Sequence, residues 1–260
     1  LENAVCYGDT PERFVYVKGH RRNKVVLVAH ADTVWEGFNT LAGQLAFNSD
    51  ERCYYSTSSQ YGIGADDRAG CAMLWQLRTL GHSLLITDGE EQGLLGSKAY
   101  VAQGLKDKTL GQVRFMLNYD MTNDPKGFST TIAESKDLFV GIGAIAQTFD
   151  TSYKNLFNNG AGLHSDHQPF MLQGIPTGGG AGGRLPNNAG PCYHADCDDF
   201  KLVDEKGLKN TVRNGAMLLY GIADSKELKS RRFTDTEVRD FMIKNNLKEA
   251  LEIAGEWRWK

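Results

Sequence analysis

Residues 25–33 read Val-Val-Leu-Val-Ala-His-Ala-Asp-Thr. Five consecutive apolar residues describe a strand covered on both faces rather than one half-exposed to water. The run stops at His30 and Asp32, so two side chains with metal-binding chemistry emerge at a buried strand's end, where α/β sheets place their sites. Residues 14–17, Phe-Val-Tyr-Val, read as a second strand. The Arg-Arg-Asn at 21–23 reads as the turn of a hairpin joining the two.

Two further short apolar strands follow. Residues 84–87 stop before Glu90–Glu91, and residues 113–119 stop at Asp120. Helical spacing marks 67–80, with Ala69, Ala72, Met73, Leu77 and Leu80 inward, and then 97–105, 136–149, 165–172 and 203–223. Alternating strand and helix define an α/β layered fold. The glycine-rich stretch 177–191 lacks the Gly-Lys-Ser/Thr of a phosphate cradle and reads as a flexible rim or a place for close backbone approach. No repeat or composition break calls for a second unit. We read 1–225 as one catalytic domain and 226–260 as a charged linker and a helical tail docked on it, opened by a capping box at Thr234–Glu237.

The chain has 260 residues and a formal charge of -3, which argues against nucleic-acid and membrane surfaces as partners. Its five cysteines are odd in number and irregularly spaced, so they are not a disulfide framework. That usage and the absence of an Asn-x-Ser/Thr sequon lean cytoplasmic. A first residue of Leu rather than Met leaves a secreted or periplasmic location open.

His30 and Asp32 lie two apart on extended chain and point the same way, so a carboxylate can orient a metal-binding imidazole. Asp66–Asp67 stands where a glycine loop feeds a helix. Either acid serves as a helix cap, and either can bridge metals. In Glu90–Glu91 one acid can ligate while its neighbour takes a proton from water. Taken singly, each of these groups, and Asp120 and His194, is ordinary. Together they form the mixed donor set of a two-metal hydrolytic site.

Their order, carried by HADT (30–33), GADDRAG (64–70), GEEQGLLGSKAY (89–100), NYDM (118–121), SDHQPFMLQGIP (165–176) and CYHADCDDF (192–200), resembles a zinc metallopeptidase family. Bacterial leucyl aminopeptidases and glutamate carboxypeptidase II belong to it, and glutaminyl cyclase is a one-zinc relative. The resemblance implies a zinc-exopeptidase-like three-layer α/β/α fold with a central mixed, mostly parallel sheet. It implies two Zn²⁺ held by His30, Asp66, Glu91, Asp120 and His194, with Asp66 shared, Asp32 orienting His30 and Glu90 as general base. It also implies a cis peptide between Asp66 and Asp67, and a structural or pocket-wall role for His167. The expected activity is that of an aminopeptidase acting on peptides. A glutaminyl-cyclase-like acyltransferase and a metal-dependent deacylase or carboxypeptidase are the alternatives.

Overall fold

The computed structural model describes residues 3–22, 24–35, 45–50, 53–58, 60, 62–120, 128–132, 140–141, 144–145, 147–148, 164–182, 194, 216–217, 219, 221–222, 224–226 and 232–260. Among them, seven strands form one sheet: β1 (Ala4–Tyr7), β2 (Phe14–Val17), β3 (Val25–His30), β6 (Ser83–Thr87), β7 (Phe115–Tyr119), β8 (Phe128–Ile132) and β9 (Thr177–Gly182), in the order β1-β2-β6-β3-β7-β9-β8. A separate antiparallel ribbon pairs β4 (Leu45–Asn48) with β5 (Cys53–Ser56). The central β6, β3, β7 and β9 run parallel, while β2 and β8 run against them.

β3 occupies the centre because its sequence can be nowhere else. Val25, Leu27 and Ala29 pack on one face with Met73, Leu74 and Leu77 of α1 (Ala65–Leu77) and with Leu219 and Ile222. Val26 and Val28 pack on the other with Tyr100 and Val101 of α2 (Leu95–Lys106) and with Phe170 of the short α3 (Gln168–Leu172). Strand side chains alternate, so a run without polar residues needs cover on both sides. The result is a three-layer α/β/α sandwich around a mixed, mostly parallel sheet. Among the described residues no helix is long and apolar enough to cross a membrane.

Three expectations are corrected. β2 and β3 do not form a hairpin, because β6 lies between them, antiparallel to β2 and parallel to β3. β2 is mostly half-buried and suits a place near the sheet edge, whereas β3 needs a neighbour on each side. Of residues 177–191, expected as a flexible rim or a place for close backbone approach, 177–182 form β9, paired with β7 on one side and β8 on the other, and 183–191 lie outside the described residues. Ladders on both sides, the one to β8 shifted in register between Thr130 and Ile132, outweigh the poor strand propensity of glycine. Ala72, expected inward, is exposed, and Gly70 and Leu74 take the inner face of α1 instead.

The chain ends in two helices, α4 (Asp235–Lys244) and α5 (Lys248–Ile253). The capping box is present, with Thr234 Oγ1 accepting from Glu237 N–H and the Glu237 carboxylate accepting from Thr234 N–H. Val238, Met242, Leu247 and Leu251 pack on Met171 and Leu172, with Trp257 and Trp259 beside them.

Candidate metal centre

All described candidate residues gather where the parallel strands end. His30 is the last residue of β3, and Asp120 follows the last residue of β7. After β6, Asp88 is tied to Arg13 (2.9 Å), and a turn in which Gly93 and Leu94 N–H both donate to Glu90 O presents Glu90 and Glu91. Asp66 lies in the first turn of α1. There α1 presses so closely on β7 that a Cβ on Gly70 would fall 2.1 Å from the Tyr119 carbonyl oxygen. The Asp66–Asp67 peptide is cis.

The two adjacent acids divide their tasks. Asp67 is fully buried, and its two oxygens accept from His30 N–H (3.2 Å) and Gly70 N–H (3.1 Å), which ties β3 to α1. Asp66 is turned to the cavity. Its Oδ1 lies 3.5 Å from His30 Nε2, and its Oδ2 lies 3.8 Å from His194 Nε2. His30 Nε2 also faces Asp120 Oδ1 at 3.7 Å, and His194 Nε2 faces Glu91 Oε2 at 3.1 Å. Two donor sets therefore share Asp66 through different oxygens. Zinc ligands at ~2.0–2.1 Å in a tetrahedron stand roughly 3.3 Å apart, and the measured separations bracket that value. One carboxylate oxygen of Glu90 lies within 4.8 Å of ligand atoms of His30 and Glu91.

Other groups fix these orientations. His30 Nδ1 is 3.1 Å from the Asp32 carbonyl oxygen and 3.5 Å from its Oδ1, which turns Nε2 to the cavity, while Asp32 Oδ2 accepts from Glu91 N–H at 3.0 Å. Ser165 Oγ donates to Asp120 Oδ2 (2.6 Å) and accepts from Asn118 Nδ2 (2.8 Å), leaving Asp120 Oδ1 toward His30. Thr87 Oγ1 donates to the buried Asp166. Ser165, Asn118, Thr87 and the anchoring task of Asp67 were not read from the sequence. Ser165 and Asp166 lie inside the SDHQPF segment, which had drawn attention to His167 alone. His167 is buried, and burial pulls it down to about 3, so it is neutral at physiological pH. His164 is exposed. Cys192, Cys197, and the segment 195–200 after the last histidine lie outside the described residues.

The electrostatics favour a cation. Burial, then the charge of Asp120, push Asp66 up to about 7 against the pull of His30. Burial, then Asp120, push Glu90 up to about 10. His30 is raised well above its ordinary value: burial opposes the rise, but hydrogen bonds to Asp120, Asp32 and Asp66 win. Acids crowded in so little water are relieved by a divalent ion, and the His and carboxylate donors suit zinc.

Comparison with known proteins gives the chain its place. The model of Peptidase family M28 matches residues 14–219, well over half of the chain. The chain belongs to peptidase family M28. It is similar to Leupeptin-inactivating enzyme 1 of Streptomyces exfoliatus (30% identical over 155 residues, 51% of this chain and 32% of that protein). It is also similar to Aminopeptidase Y of Saccharomyces cerevisiae (32% identical over 121 residues, 42% and 22%). The matched stretches thus span a third or less of these relatives' length. Among solved structures, an aminopeptidase from Aneurinibacillus sp. strain AM-1 superposes with a TM-score of 0.56 at 19% identity, over 85% of this chain and 50% of that one. A glutaminyl cyclase from an Acidobacteriales bacterium gives 0.57 at 19%, over 87% and 78%. Both share the layered α/β/α fold described above.

Proposed function

We propose that this protein is a zinc-dependent exopeptidase of the aminopeptidase type, with two cation sites that share Asp66. The observation that carries this is the pair of Asp66 oxygens, each aimed at a different histidine. His30 and Asp120 would hold one ion, and Glu91 and His194 the other. Bound cations supply Lewis acidity toward a carbonyl and a lowered pKa for water.

The chain's own groups supply the rest. Glu90, beside both His30 and Glu91 and ionised once bound cations offset the lift from burial and Asp120, takes a proton from the attacking water and passes it to the leaving amine. Asp32 holds the His30 ring and the Glu91 backbone at once, so it fixes two of the proposed ligands in one register. Ser165 keeps Asp120 from turning. His167 stays uncharged behind the site.

The glutaminyl-cyclase fold is equally similar, so fold does not choose between peptide hydrolysis and one-metal acyl transfer. The two donor sets favour hydrolysis. The test is to count metal by plasma emission on purified protein, and to assay a panel of aminoacyl anilides with and without chelator. Two ions per chain with chelator-sensitive release of the amine supports the proposal. One ion with cyclisation of N-terminal glutaminyl peptides would overturn it.

A further inference from the structure

A second cavity, of about 250 Å³, opens at the other end of the sheet. Val26 and Ser83, at the starts of β3 and β6, line it, whereas the metal centre lies past His30 and Thr87. Four residue steps of strand separate Ser83 from Thr87, roughly 13 Å. One wall is aromatic. Phe14 meets Tyr100 edge-on at 5.4 Å, and Tyr16 leans on Tyr100 at 5.5 Å.

The lining beside Tyr16 carries a donor. Ser83 is 9% exposed, and its oxygen accepts from the Tyr16 hydroxyl (3.2 Å) and from Gly19 N–H (3.1 Å). Those two bonds occupy both lone pairs, so the Ser83 hydrogen is left to give. Gly19 binds Ser83 directly and Val26 pairs with it, so Lys18 and Lys24 approach from two sides. The acid on the rim, Asp107, is turned to the Thr109 amide and hydroxyl. Lys18 and Lys24 against Asp107 give the lining residues a positive formal balance.

We propose that this cavity binds a small molecule with one flat apolar ring and a carboxylate, the ring on Phe14, Tyr16 and Tyr100 and the carboxylate between Lys18, Lys24 and the Ser83 hydroxyl. The volume lies below the ~300–1,000 Å³ of drug-sized sites, which limits the ligand to a single ring. No metal ligand takes part, so the site stands or falls apart from the proposed peptidase activity.

The test is calorimetric titration of the intact protein with 3-phenylpropanoate, against 3-phenylpropan-1-ol and 3-phenylpropylamine. The acid binds, and the alcohol and amine bind at least about tenfold more weakly, the loss of one charge-assisted contact. Lys18→Met with Lys24→Met weakens the acid by a similar or larger factor, while anilide hydrolysis and the thermal midpoint stay as in the parent. If the double variant unfolds, Ser83→Ala takes its place, with about a tenfold loss expected. Absence of binding at millimolar acid, equal binding of the alcohol, or unchanged affinity in the folded variants would each overturn the assignment. Equal loss on chelation of the metal would do so too, by showing that the carboxylate sits at the metal centre.

Discussion

Asp66 and Asp67 are the same residue type one position apart, yet one faces a cavity and the other is spent on backbone amides of two elements. Residue chemistry left open which acid does which, since either could cap α1, and the family resemblance alone singled out Asp66. Close packing of Gly70 on Tyr119 brings α1 against β7, and the His30 and Gly70 amides hold Asp67 there. The same holds for Glu90 and Glu91: Asp32 accepts from the Glu91 amide, and Glu91 thereby faces His194. Two predictions belong here. Glu90→Gln keeps the carbonyl geometry but cannot accept a proton. It should retain the metal content of the parent and lose turnover by about 10²–10⁴, read from metal analysis beside steady-state rates. Ser165→Ala frees Asp120 Oδ2 and should weaken metal binding about 10–100-fold, measured by competition with a chelating dye, whereas unchanged affinity would show that Ser165 does not position the ligand.

At the scale of elements, β3 was legible because a fully apolar run has one physical solution. β6 and β7 were legible for the same reason, as was the capping box that opens α4. β9 was not, because Thr-Gly-Gly-Gly-Ala-Gly carries no hydrophobic period and its strand state comes from neighbours distant in sequence. The β2–β3 hairpin failed for a related reason: the turn signal is local, while the partner that displaced it, β6, enters some 60 residues later. The C-terminal helices rest on α3, the element that follows Ser165, Asp166 and His167. Met242 is fully buried there, and Met242→Ala should cost about 2–5 kcal/mol. Thr234→Ala removes one side of the capping box and should cost about 1 kcal/mol. Denaturant unfolding measures both, and a Met242→Ala loss no larger than that of Thr234→Ala would show that the tail contributes little packing.

For the whole molecule, the cluster sets a pH dependence. Asp66 is lifted from 3.8 to about 7 and Glu90 from 4.5 to about 10, and His30 is also raised. A folded acid with a raised pKa makes folding less favourable as pH climbs from the ordinary value to the raised one, and a raised histidine loses its contribution in the same direction. The chelated protein should therefore melt lower at about pH 7.5 than at about pH 5, and zinc should raise the midpoint more at the higher pH, because the ion replaces the missing protons. Scanning calorimetry with and without chelator checks this, and a zinc effect independent of pH would contradict it. The sequence alone determined the buried central strand, the α/β layering, and the kinds and order of donors at strand ends, since hydrophobic run length and residue chemistry are local properties. The tertiary structure alone decided which oxygen of Asp66 meets which histidine, that Asp67 anchors β3 to α1, and that a glycine run becomes a strand. Those outcomes depend on contacts between segments tens of residues apart, and no local pattern encodes them.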